Sequence, residues 1–98
     1  MNTYVIFRRA GWPSAEDLQV AAPRSRQVGE DMSDDIRWIR SYVVSETEGA
    51  VGTVGIYQAT SPEAIRQHAA TANVPVDEIL EVVDTVVLAP DPVTAVSG

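Results

Sequence analysis

In the run Ile36-Arg37-Trp38-Ile39-Arg40-Ser41-Tyr42-Val43-Val44-Ser45, apolar residues occupy both odd and even positions. Strand side chains alternate between the two faces of a sheet. An unbroken strand here therefore sets Ile36, Trp38, Arg40, Tyr42 and Val44 on one face, and Arg37, Ile39, Ser41 and Val43 on the other. Helices of the same chain can cover one face. The second needs another partner, either a second chain or a bound molecule.

Patterning predicts the remaining elements. Residues 3–8 (TYVIFR) make a short strand, and Gly11-Trp12-Pro13 a turn. Ser14, with Asp17 reaching back to it, has the form of a helix cap. The helix after it presents Leu18, Ala21, Ala22, Ser25, Gly29 and Met32 on one face. Pro23 removes a backbone donor and crowds the previous turn, which predicts a kink or break across residues 21–23. The acidic residues Glu30, Asp31, Asp34 and Asp35 close this region as a solvated loop. Glu46-Thr47-Glu48-Gly49 reads as a hairpin turn with Gly49 at positive φ. A third strand covers residues 51–59, where Gly52 and Gly55 mark a bulge or a close backbone approach. Ser61 as cap, Pro62 at the first helical position and Glu63 near the positive dipole end start a second helix. It runs to Ala72 and stops at Asn73-Val74-Pro75. The last strand spans residues 79–88 and is apolar on both faces. A domain at 1–89 is thus followed by a flexible tail at 90–98.

The order β-α-β-β-α-β is the ferredoxin-like arrangement, an α+β fold with two helices on one face of a four-stranded antiparallel sheet. Its open face is too apolar here to stay wet. A homodimer with the two open faces apposed, a dimeric α+β barrel, is the simpler solution. A ligand lodged against the sheet is the alternative.

Composition narrows the chemistry. The chain has 98 residues, 45% of them hydrophobic, and no stretch near the ~20 apolar residues of a membrane span. Only residues 4–7 precede two arginines at the N-terminus, too few for a signal-peptide core, so the expected location is cytoplasmic. There is no cysteine, which excludes disulfides, thiolate metal ligands and a cysteine nucleophile. A net charge of −7 argues against nucleic acid as a partner. All seven basic residues are arginines, so no lysine is present for Schiff-base chemistry.

The segments IRWIRSYVVS, TVGIYQATSPEAIRQHA, NVPVDEI and LEVVDTVVL resemble a family of small ferredoxin-like proteins, a domain of unknown function whose one functional label is nickel binding. The resemblance covers residues 4–87. Its most specific pieces are Arg40-Ser41-Tyr42, Tyr57-Gln58-Ala59, Pro62-Glu63-Ala64 and His68. It implies a small homodimeric binding or accessory protein with weak affinity for nickel or another metal. Nickel-binding members carry histidines at the end of the first strand, where this chain has Arg8 and Arg9, and many relatives carry a cysteine where it has Gly55. Of the family's candidate ligands only His68 remains. Glu78, Glu81 and Asp84 offer oxygens at a spacing that matches no known site, so no metal ligand set and no cofactor is assigned.

Four residues are candidates for ligand binding: Trp38, Arg40, Tyr42 and His68. Trp38, Arg40 and Tyr42 suit a dimer interface; equally, they suit a pocket in which Arg40 offers a forked donor to a carboxylate or phosphate. His68 sits about 60° from the centre of its helix's apolar face, at the border of core and solvent. A hydrogen-bonded histidine at a helix edge is the plainer expectation, and a ligand, acid or base the sharper one. Arg8 and Arg9 at a strand end are expected to be solvated, with anion binding beside Arg40 as the alternative. The expected ligand is small and apolar or anionic. The competing function, by analogy of fold alone, is a cofactor-independent monooxygenase, cyclase or isomerase enclosing an apolar substrate between sheet and helices.

Overall fold

The structure is a computed structural model that describes residues 1–90. Apart from Pro90, the predicted tail lies outside the described residues. The elements are β1 (Asn2–Trp12), α1 (Ala15–Asp31), β2 (Ile36–Ser45), β3 (Val51–Ala59), α2 (Pro62–Ala72) and β4 (Glu78–Glu81), with a 3-10 turn at Thr47–Gly49. All strand pairs are antiparallel and the sheet order is β2-β3-β1-β4. This is the predicted ferredoxin-like arrangement.

The core lies between the sheet and the two helices. Tyr4 and Ile6 of β1, Tyr57 and Ala59 of β3, Ile36 of β2 and Ile65 of α2 form its buried cluster, with Met32, Trp38, Val76 and Ile79 packed against it. Alternate residues of β1 and β3 are buried, as period two requires for a sheet covered on one side.

The caps predicted for both helices are present. The Ser14 and Ser61 hydroxyls accept from the backbone N–H groups of Asp17 and Ala64, Pro62 opens α2, and Asn73 closes it in the left-handed conformation. The hairpin turn carries Glu48 and Gly49 at positive φ, and β3 has the predicted bounds. Gly52 lies against the backbone carbonyl of Arg8, which a Cβ would strike, so the close approach read from the glycine is real.

Four expectations need correction. β1 continues through the predicted turn at Gly11-Trp12, because a register shift between Arg8 and Trp12, with Ala10 at φ 45°, lets Trp12 pair with Val51. Pro23 does not break α1; it lies on the exposed side of the helix, where the loss of one backbone hydrogen bond is tolerated. β4 ends at Glu81 rather than at residue 88. It pairs only with β1, and continuing the register sets Val83 opposite Asn2, where β1 itself begins. Beyond that ladder Val83, Val86, Val87 and Leu88 stand 73–94% exposed.

The fourth correction concerns β2. Trp38 pairs with Tyr57 but Arg40 pairs with Ile56, so Ile39 is an extra residue in the strand. Such a bulge reverses the alternation after it. Trp38 keeps the helix-covered face with Tyr57, whereas Arg40, Tyr42 and Val44 turn to the open face with Ile56, Val54 and Gly52.

Candidate functional site

A cavity of about 620 Å³ opens between the β2 side of the sheet and α1. Small residues of α1 make it possible: Ala21, Ala22, Ser25 and Gly29 form its helical wall. Arg8, Trp38, Ser41, Thr53 and Tyr57 line it from the sheet. Gly55 keeps that wall open, since a Cβ there would come within 2.8 Å of the Tyr57 ring. Trp38 lies parallel to Tyr57, with ring centroids 5.8 Å apart and 3° between planes. Its indole Nε1–H donates to Ser41 Oγ at 2.8 Å, which fixes both residues in the wall.

Arg8 carries the most unusual environment. It is 3% exposed, and its Nε and Nη2 are buried with no hydrogen-bond partner. The guanidinium carbon lies 5.8 Å from the centroid of the Tyr57 ring, and no ion pair to Arg8 exists among the described residues. Burial raises the Tyr57 phenol above its ordinary pKa, while the Arg8 charge and hydroxyl contacts with Arg8 and Ser25 pull it back. At neutral pH the phenol is a neutral donor and not a base.

Behind this wall His68 is fully buried. Its Nε2–H donates to the Ser25 carbonyl at 2.9 Å, leaving Nδ1 a buried acceptor without a partner. Burial lowers its pKa, the Arg8 charge adds to that, and the Ser25 contact opposes it. The ring is thus a neutral strut between α2 and α1. Its predicted place at the border of core and solvent is corrected. The periodicity of α2 alone does not include α1, whose Ser25 carbonyl and Gly29 lie against the ring and bury it.

The four predicted site residues separate. Trp38 and Arg40 border the cavity, whereas Tyr42 and His68 do not. Tyr42 is 46% exposed on the open face, with its hydroxyl 3.4 Å from Arg40 Nη1. Arg9 stays exposed and pairs with Glu46 at 3.0 Å, whereas Arg8 is buried against the expectation of a solvated pair. The Arg9 hydrogen bond, then the Ala10 N–H, hold the Glu46 carboxyl below its usual range. Sequence reasoning missed Tyr57, Ser25 and the burial of Arg8 as site features. The parity shared by Tyr4, Ile6 and Arg8 was the available signal, since it runs the buried face of β1 through to the arginine.

A family profile described as "Nickel responsive protein SCO4226-like" matches residues 4–82. No curated protein matches the chain. Among solved structures, SCO4226 from Streptomyces coelicolor A3(2) superposes with a TM-score of 0.68 at 16% identity, over 86% of this chain and 99% of that one. The likeness extends to the whole fold of that protein.

The donors present do not fit a nickel centre. Among the described residues no three His, Cys, Asp or Glu side chains are grouped to hold a metal ion. The one histidine is committed through Nε2 and sealed from water. Glu78 and Glu81, opposite Phe7 and Tyr4 in the ladder, point to different faces of the sheet.

Proposed function

The chain belongs to the family of nickel-responsive SCO4226-like proteins, and from that premise we propose that it is a small-molecule-binding member whose site is the cavity between sheet and α1. The observation that carries this reading is the cavity itself. Its size suits a small organic ligand, and its walls are largely apolar with a few polar groups, the usual composition of a ligand site. Binding is preferred over catalysis. Tyr42 and His68, the acid–base candidates, do not reach the cavity, and Tyr57, which does, is held protonated. Affinity for nickel is weak in this reading, because imidazole and thiolate donors are what nickel favours and the chain offers one sealed imidazole.

The protein works as a homodimer in this proposal, with the open sheet faces apposed. Tyr42 and Leu80 are 46% and 47% exposed there, and Val5, Phe7, Val54 and Ile56 are half-buried beside them, an apolar surface that favours burial. Light scattering at micromolar concentration should give a dimer, and Tyr42→Asp a monomer; a monomeric wild-type protein would remove this part. For the cavity, two probes of one shape, 2-naphthoate and 2-naphthamide, are titrated while thermal stability is followed. A saturable rise in melting temperature with either probe, lost in the cavity-filling variant Ala22→Phe, supports the site. No rise with either, or the same rise in Ala22→Phe, refutes it. Tight, stoichiometric nickel binding by calorimetry would restore a metal role.

A further inference from the structure

We propose that the ligand of this cavity is an organic carboxylate, held by the fork of Arg8. This rests on the cavity reading above and adds the chemical class of its ligand.

The first support is an unmatched buried cation. An isolated charge is held out of water only where something compensates it. Arg8 is 3% exposed, yet Nε and Nη2 find no acceptor and no carboxylate pairs with it among the described residues. Nε and Nη2 form one edge of the planar guanidinium, the side-on fork that matches the two oxygens of a carboxylate. Both unfilled donors share that edge, which is itself shut from water, and the residue that bears them lines the cavity.

The second support is the charge around the cavity. The chain carries 14 acidic and 7 basic residues. Among the residues bordering the cavity, Arg8 and Arg26 stand against Glu30 alone, while Arg37 and Arg40 border it from strand positions whose side chains turn to the open face. In a protein of net charge −7, the border of this one cavity is thus free of the acidic excess of the rest of the chain.

The third is selectivity for an organic anion over an inorganic one. Leu18, Ala21 and Ala22 of α1 face Trp38 and Tyr57 across the cavity, so an anion without an apolar body leaves most of the wall unfilled. Ser41 and Thr53 supply hydroxyls on the sheet side.

Calorimetric titrations of the full chain with 2-naphthoate, 2-naphthamide and inorganic phosphate test this, on wild type and on Arg8→Met and Arg8→Lys. A charged, bidentate hydrogen bond predicts 2-naphthoate tighter than 2-naphthamide by about 10- to 100-fold in wild type. Arg8→Met should erase that preference, and Arg8→Lys, a point charge without the fork, should retain only part of it. Equal affinities for both probes in wild type overturn the proposal and leave the cavity reading standing. Binding of neither overturns both. Phosphate binding as tightly as 2-naphthoate overturns the assignment to an organic carboxylate. Should Arg8→Met not fold, the wild-type ratio of naphthoate to naphthamide still decides.

Discussion

Replacing Arg8 by methionine should make the ligand-free protein more stable. Arg8 places a guanidinium at 3% exposure with two donors unfilled. The effective penalty for an uncompensated buried ion is several kcal/mol after relaxation. The Tyr57 ring at 5.8 Å returns about 1–2 kcal/mol of that by cation–π attraction. Methionine keeps an unbranched apolar stem of similar length and removes the charge, for a net gain of about 1–3 kcal/mol. In a domain of this size each kcal/mol moves the melting temperature by roughly 4–8 °C. Scanning calorimetry at fixed protein concentration, without added ligand, should therefore show a rise of at least about 4 °C. A fall in melting temperature would show that the fold itself satisfies the guanidinium, which would remove the ground for the ligand assignment. Stability given up at a binding residue is the ordinary cost of a preformed site.

Three further outcomes follow from the same contacts. His68 is neutral in the fold with a lowered pKa, so the unfolded chain takes up a proton first as pH falls. Stability should therefore decline below about pH 6.5, by up to about 1.4 kcal/mol per unit until the lowered folded value is passed, and urea titrations of His68→Gln should show no such slope in that window. Glu46 has the depressed folded pKa of a paired carboxylate, so its contribution is present above about pH 4.3 and lost as pH falls through the folded value. Glu46→Gln should flatten acid denaturation over that range, and unchanged acid denaturation would deny the Arg9 pair a role. Ser61→Ala removes the cap of α2 and should cost about 1 kcal/mol by chemical denaturation, whereas a loss within error would mean Pro62 alone sets the helix start.

Elements with strong local punctuation were legible in the sequence. Ser61-Pro62, Asn73 and Gly49 announce their caps and turn through residues whose backbone preferences hold in any context, and α2, β3 and the hairpin lie where those residues put them. Features set by distant strands were not legible. The extra residue Ile39 is a β-branched side chain that looks at home in a regular strand, so the reversal that parts Trp38 from Arg40 and Tyr42 leaves no local mark. β4 stops for want of a ladder partner, although its sequence stays apolar well beyond. Pro23 is tolerated because its side of α1 faces water. The cavity was half visible: of the four candidates, Trp38 and Arg40 border it. Arg8 was missed as its anchor because an arginine near a strand end is ordinarily solvated. Only its pairing with Thr53, beneath α1, buries it.

The central claim is that this chain binds its ligand on the helix-covered side of the sheet. Nitrogen-15 NMR of the full chain during titration with 2-naphthoate tests it directly. The account predicts shifts at the Trp38 indole N–H, the Arg8 Nε–H and the Ser25 and Gly29 amides, with Tyr42, Val54 and Ile56 unmoved. Shifts confined to Tyr42, Val54 and Ile56 would place the site on the open face and contradict it.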